Sequence, residues 1–180
     1  MTGAGEGEVV RLWDFCLRIY ARPEVAKACL DLQEHYGANV PLLLAAAWLG
    51  SCSVTLTKEE ADRLGEAVRG WNEEVVKPLR ALRTRLKAGP APAPDEASAR
   101  LREKVKTIEL EAERIEIEFL ESLAAALPQR APETPGEAAL ANLGRVLPAG
   151  EGAGEALRAI AQAAASLSDG RSLEKPGEKA

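Results

Sequence analysis

Histidine, cysteine and aromatic residues are scarce in this chain of 180 residues, and their scarcity narrows the chemistry that it can perform. His35 is the single histidine, and Cys16, Cys29 and Cys52 are the three cysteines. An odd and sparse set of cysteines argues against a disulfide framework and favours reduced thiols. No two of these ligand-type residues have the short C-x₂₋₄-C spacing of zinc sites, so we predict no metal and no cofactor.

Long apolar runs are also missing. The most apolar stretch, residues 40–52, has 13 residues, whereas a membrane-spanning helix needs about 20. We therefore predict a buried core helix there and no membrane contact. The start of the chain lacks a basic segment followed by an apolar run, so we expect no signal peptide and a cytoplasmic location. A net charge of −5 does not favour a nucleic-acid footprint over the whole chain.

Apolar residues recur every three or four positions, and the alternation typical of strands is absent. This pattern predicts an all-α fold. We predict a three-helix N-terminal unit with helices over about 8–21, 23–36 and 41–50. Pro23 and Pro41 stand where helices begin, and Gly37 stands where one ends. A capping box of Thr57 and Glu60 starts a long helix that runs toward residue 87 and should kink at Pro78.

A second long helix should fold back on the first as an antiparallel hairpin, since the Gly-Pro-Ala-Pro-Ala-Pro stretch at 89–94 is a short, non-helical connector. Counting outward from this connector pairs Leu82 with Leu101 and Trp71 with Ala112. The second helix carries a coiled-coil-like seam of apolar residues at alternating spacings of four and three. The seam consists of Leu101, Val105, Ile108, Ala112, Ile115 and Phe119.

Glutamates flank this seam. Glu109, Glu113 and Glu116 lie at spacings of four and three on the same helix. Di-iron helical bundles combine such glutamates with Glu-x-x-His motifs, which this chain lacks. We therefore interpret these three carboxylates as a solvated face.

The composition shifts to proline, glycine and alanine after Leu127. We predict a helical bundle domain over residues 1–127 and a C-terminal extension over residues 128–180. The extension should contain two short helices, near 136–147 and 154–167, and a polar, disordered tail from residue 168.

Much of the first fifty residues resembles a known family. The resemblance is carried by Leu12-Trp13-Asp14-Phe15, by the segments 20–26, 28–33 and 36–40, and by the apolar residues of 42–50. These residues resemble an uncharacterised bacterial family, the domain of unknown function twenty-three-ninety. The likeness fades through the hairpin, is not seen after about Leu127, and departs at Pro41, where relatives are expected to have a polar residue. It implies a small helical bacterial protein and no catalytic activity.

One candidate site lies on the N-terminal helices. Asp31 precedes His35 by one helical turn, and a carboxylate–histidine pair can act as a general base. A structural role for His35 at its helix C-terminus is the simpler interpretation. A wider set could line a small-molecule or enzymatic pocket, or else anchor the core. That set is Trp13, Asp14, Tyr20, Asp31, His35, Tyr36 and Trp48.

A second candidate is a basic tip. Residues 77–106 carry a net charge of +6, against −11 for the rest of the chain. If the hairpin forms, most of these basic groups gather at its tip, where they could bind nucleic-acid phosphates or simply keep two helix ends solvated. No aromatic residue interleaves them as base stacking would require. The basic tip comprises Arg80, Arg83, Arg85, Lys87, Arg100, Arg102, Lys104 and Lys106.

No convergent set of polar residues indicates catalysis, and we assign no catalytic residue. The sequence favours a non-enzymatic helical interaction or adaptor protein with a protein partner, or with a second copy bound through the Leu101–Phe119 seam if the hairpin leaves that seam open. One alternative is a nucleic-acid- or ribosome-associated protein that uses the basic tip. Another is a small-molecule-binding or enzymatic pocket among the N-terminal helices.

Overall fold

The structure, a computed structural model, describes residues 10–128, 134–147 and 152–167. Within these ranges the chain is helical and contains no strand, which confirms the all-α prediction. A π-helical segment, Asn72–Val76, connects two of the α-helices. The tail predicted from residue 168 lies outside the described residues. The α-helices are α1 (Leu12–Tyr20), α2 (Pro23–Tyr36), α3 (Val40–Ser51), α4 (Lys58–Trp71), α5 (Lys77–Ala88), α6 (Glu96–Ala124), α7 (Pro135–Val146) and α8 (Ala153–Ala165).

Helix α3 lies at the centre of the fold. All of its residues from Pro41 to Ser51 are buried, as expected for a helix that is apolar on every side. Helices α1, α4, α6, α7 and α8 contact it. Asn39 caps its start by accepting a hydrogen bond from the backbone N–H of Leu42 at 3.2 Å. The other elements are therefore arranged around one buried helix.

The two C-terminal helices belong to the same hydrophobic core as the N-terminal ones. Leu143 of α7 and Ile160 of α8 are fully buried in it. The buried side chain of Asn142 accepts a hydrogen bond from the N–H of Leu56 at 2.8 Å. It donates to the carbonyls of Val54 at 2.8 Å and Ala46 at 3.2 Å. The boundary predicted at residue 127 therefore does not divide the core.

The long hairpin consists of α4, the π-helical segment and α5 on one side and α6 on the other. The indole N–H of Trp71 donates to the carbonyl of Ala112 at 3.0 Å, across the two arms. The irregularity expected near Pro78 takes the form of the π-helical segment, in which the N–H of Lys77 bonds five residues back to Asn72. A proline lacks the N–H of a regular helix and crowds the preceding turn, and a wider turn relieves that crowding.

The close approach of α3 and α7 can be tested at Gly50. A Cβ atom there would overlap backbone atoms of Ala138 and Ala139. We expect Gly50→Ala to lower the free energy of unfolding by about 3 kcal/mol, because overpacked backbones must separate. Urea denaturation followed by circular dichroism measures the change.

The matched control for this substitution is Gly144→Ala. A Cβ at Gly144 of α7 would meet nothing within 4 Å, so this change should raise stability by about 0.5 kcal/mol through helix propensity. Equal stabilities of the two variants would contradict the described α3–α7 packing.

Candidate interaction surface

Helix α6 presents carboxylates to the interior of the protein. Glu109 is 5% exposed and Glu116 is 1% exposed, while Glu113 is partly buried. The interpretation of these three glutamates as a solvated face is therefore wrong. Buried carboxylates are tolerated where partners satisfy their oxygens, and such partners come from three other elements.

Two arginines of α5 pair with two of these carboxylates. The Nε atom of Arg80 donates to Glu109 at 3.1 Å, and its Nη2 atom donates to Glu113 at 2.6 Å. Arg83 also donates to Glu109 through both Nε and Nη2. Burial raises the pKa of Glu113, and the neighbouring Arg80 opposes that rise. Guanidinium–carboxylate pairs of this kind fix the orientation of both side chains, so α5 and α6 are held in one rotational setting.

The third carboxylate joins three elements. Glu116 accepts hydrogen bonds from the amide of Asn39, the cap of α3, and from the amide of Asn72 at 3.3 Å in the π-helical segment. Burial raises the pKa of Glu116, and the two amide hydrogen bonds oppose the rise. The start of α3, the π-helical segment and α6 therefore meet at one carboxyl group.

Burial of Glu116 has a consequence for stability against pH. A raised pKa means that the folded protein keeps a proton that the unfolded chain releases above the ordinary glutamate pKa of about 4.3. The free energy of unfolding should therefore fall as pH rises from the glutamate pKa of the unfolded chain through the raised pKa of Glu116 in the folded protein. Glu116→Gln removes the ionisation, so its stability advantage over the natural protein should grow from about pH 4 to about pH 7. Urea denaturation across that range measures it.

Glu59→Gln is the control for this experiment, because Glu59 is an exposed glutamate of α4 that lies outside the hairpin contacts of Glu116. We expect this change to leave the pH profile unaltered. If the profile of Glu116→Gln ran parallel to that of the natural protein, the assignment of the pH effect to Glu116 would be wrong.

Because Glu109 and Glu116 point inward, only part of the apolar seam of α6 is buried in the hairpin. Val105 and Ala112 are buried against the hairpin interior. The other four seam residues are 46–52% exposed, so the hairpin leaves most of the seam open. Polar partners hold Glu109 and Glu116 toward the interior, and four of the six seam residues therefore turn toward solvent. These four residues are Leu101, Ile108, Ile115 and Phe119.

The first arm of the hairpin extends this exposed apolar surface. Trp71 is 37% exposed, and its bond to Ala112 places the indole beside α6. Exposed apolar residues grouped in this way are uncommon on monomeric proteins and typically mark interaction sites. We call this surface the outer hairpin face, formed by Trp71, Leu101, Ile108, Ile115 and Phe119.

Charge along the outer hairpin face is segregated. Basic residues lie toward the connector, and acidic residues lie toward the opposite end. Lys104 and Glu111 are exposed on the same edge of α6, one heptad apart. In the part of the chain that the structure describes, neither forms an ion pair. The charged residues on this edge of α6 are Arg100 and Lys104 near the connector and Glu111 and Glu118 toward the other end. Arg100 pairs with Glu96 and Glu118 pairs with Arg114.

Fewer residues of the basic tip are available to a partner than the sequence implied. Arg80 and Arg83 are engaged with carboxylates inside the hairpin. Salt bridges also connect Arg100 with Glu96, Arg102 with Glu103, and Lys106 with Glu103. Arg85, Lys87 and Lys104 are the exposed members for which no ion pair is found among the described residues.

A shallow groove runs along α5 beside the tip. Its volume is about 720 Å³. Lys77, Arg80, Thr84 and Arg85 line it together with small residues of the helix and the start of the connector, and no acidic residue lines it. The groove is therefore a basic concave surface on the hairpin.

The predicted tryptophans of the N-terminal helices serve as packing anchors. Trp48 is buried, and its indole N–H donates to the carbonyl of Val10 at 3.1 Å. Trp13 is half-buried beneath the guanidinium of Arg114, which lies 5.2 Å from the ring centroid. Asp14 is exposed on α1. The two tryptophans therefore contact different parts of the chain, Val10 and Arg114.

The tyrosines and the histidine are also separated. Tyr20 lies near Arg80 and Arg83, and burial of its ring raises the pKa of its hydroxyl. The hydroxyl of Tyr36 lies against Gly152 at the start of α8. The Nδ1 atom of His35 is 3.0 Å from the backbone carbonyl of Asp31. Its ring is therefore hydrogen-bonded to the main chain and is not paired with the Asp31 carboxylate.

The cysteines have the character of core residues. Cys16 and Cys29 are buried. Burial raises the pKa of the Cys29 thiol to about 12 and that of Cys16 still higher, so both stay protonated at neutral pH. In the described ranges, no group of three or more histidine, cysteine or carboxylate residues is placed to hold a metal ion.

Comparison with known proteins identifies one relationship. The family model described as protein of unknown function (DUF2390) matches residues 11–120, which confirms the resemblance seen in the first fifty residues and extends it through most of α6. Searches of curated proteins and of solved structures found no match. No helix in the described residues has the length and apolar character that crossing a membrane requires. Helices α7 and α8 lie beyond the matched residues, although they complete the core.

Proposed function

This chain belongs to the DUF2390 family, whose function is unknown, and we propose that it is a non-enzymatic interaction protein that binds a protein partner through the outer hairpin face. The observation that carries the proposal is the row of half-exposed apolar residues on α6. Leu101 to Phe119 span about 27 Å of helix at 1.5 Å per residue. A strip of this length fits a helix of a partner protein.

Support for the proposal also comes from the rigidity of the scaffold. Glu109 and Glu116 are held by partners on α5, on α3 and in the π-helical segment. The rotation of α6 about its own axis is therefore defined in the free protein. A surface that is ordered before binding loses little conformational entropy on association.

The test of this proposal is association in extracts of the native cell. Ile108→Glu combined with Ile115→Glu places two charges on the outer hairpin face, and we expect at least a tenfold loss of the specifically captured partner, measured by quantitative mass spectrometry. Desolvating an unpaired charge at an interface is strongly unfavourable. Both side chains are half-exposed in the free protein, so the fold should persist, as circular dichroism can verify.

Leu110→Glu is the matched control. Leu110 is 51% exposed on α6, but it lies two residues after Ile108 and therefore points about 200° away from it around the helix. Capture should be unaffected by this change. If the double variant captured the same partners as the natural protein, the outer hairpin face would not be the binding surface.

The basic groove favours a second candidate function, binding of nucleic-acid phosphates. Arg85 and Lys87 project from α5 near the connector and are exposed, and Arg85 lines the groove. Phosphate contacts of lysine and arginine make affinity strongly dependent on salt. This candidate uses a part of the basic tip that is not consumed by internal ion pairs.

We expect Arg85→Glu with Lys87→Glu to reduce binding of a single-stranded RNA probe at low salt by at least tenfold and to flatten its salt dependence. The control reverses two exposed basic residues elsewhere, Lys27 and Arg63, and so changes the net charge equally. Fluorescence anisotropy measures both variants. Absence of salt-sensitive binding by the natural protein would remove this candidate.

A further inference from the structure

The spacing of the outer hairpin face indicates the shape of what covers it. Leu101, Ile108 and Ile115 are each seven residues apart. A seven-residue apolar repeat stays on one side of a helix when that helix packs against another helix, as in a coiled coil. A helical partner of similar length is therefore the best fit for this face.

The charges at its edge indicate the direction of that partner helix. Lys104 and Glu111 lie on the same edge of the apolar row and form no ion pair within the described chain. They are one heptad apart, about 10 Å along the axis, which is too far for them to pair with each other. In a parallel two-fold contact, this edge of one copy would lie on the opposite side of the interface from the same edge of the other copy, so Lys104 and Glu111 would remain without a partner.

An antiparallel second copy would place opposite charges together. With a two-fold axis between residues 107 and 108, Lys104 of one copy would lie beside the partner's Glu111. Rotation about the axis would therefore bring each basic end of the face onto an acidic end.

On these grounds we propose that the partner is a second copy of this chain, bound by an antiparallel, two-fold symmetric contact between outer hairpin faces. This inference rests on the proposed function and specifies its partner. Two-fold dimers with self-complementary surfaces are the commonest oligomers. A face about 27 Å long and two helices wide has a footprint of about 550 Å² per copy, near the lower limit for a specific interface. The dimer should therefore be weak, with micromolar affinity.

The first experiment is sedimentation velocity of the full chain over about two decades of micromolar concentration. The weight-average sedimentation coefficient of the natural protein should rise with concentration toward that of a dimer. Ile108→Glu should sediment as a monomer throughout, and Leu110→Glu should behave like the natural protein. Because a charge at Ile108 could perturb α6, Ile108→Ser and the far-ultraviolet circular dichroism of each variant distinguish loss of contact from loss of fold.

The second experiment tests the direction. Lys104→Glu and Glu111→Lys should each weaken the dimer by about tenfold, because symmetry introduces every like-charge contact twice. The double exchange, Lys104→Glu with Glu111→Lys, should restore the affinity to within about threefold of the natural value. In a parallel dimer these edges lie on opposite sides of the interface, so the single exchanges should have little effect on the affinity.

A natural protein that stays monomeric over the whole range would overturn the inference, as would equal effects of Ile108→Glu and Leu110→Glu or a failure of the double exchange to restore affinity. The proposed function is judged separately. A monomer that still captures another protein through the outer hairpin face leaves the proposed function in place with a different partner. A monomer without face-dependent capture removes both.

Discussion

The rotational setting of α6 is the constraint on which the surface of this protein depends. Glu109 and Glu116 point inward because Arg80, Arg83, Asn39 and Asn72 supply their hydrogen bonds. An apolar interior alone would favour the opposite setting, with all the seam residues turned inward. The polar partners outweigh that preference, since a buried carboxylate without them would be strongly unfavourable. Exposure of four of the six seam residues is the direct result.

The core beneath the hairpin is built by a different principle. Helix α3 is apolar on all sides and needs neighbours all round it. Gly50 lets α7 approach its backbone closely, and Asn142 satisfies the main-chain groups of the α3–α4 connection from inside the core. The family match ends at residue 120, so these contacts add a C-terminal layer to the part of the chain that the family defines.

Much of the fold could be predicted from the sequence because its signals are local. Apolar spacing, prolines at helix starts and the capping residue Thr57 depend on neighbouring positions only, and they located the helices closely. The rotation of α6 could not be predicted in this way. It depends on Arg80 and Arg83 meeting Glu109 across the hairpin, and on Asn39 reaching Glu116 from a helix cap 77 positions away. For the candidate site, periodicity identified the apolar row but not which of its residues would be exposed.

The π-helical segment Asn72–Val76 determines which side of α5 faces α6, because α5 continues directly from it. Such a segment accommodates one residue more than a regular α-helical turn, and each residue of an α-helix turns the chain by about 100°. A homologous arm that lacked one residue here could continue as ordinary α-helix, and its α5 would present a different side to α6. The guanidinium groups of Arg80 and Arg83 would then turn away from Glu109. Arm length and internal ion pairing are therefore coupled, and insertions or deletions in this turn would be tolerated only together with changes on α6.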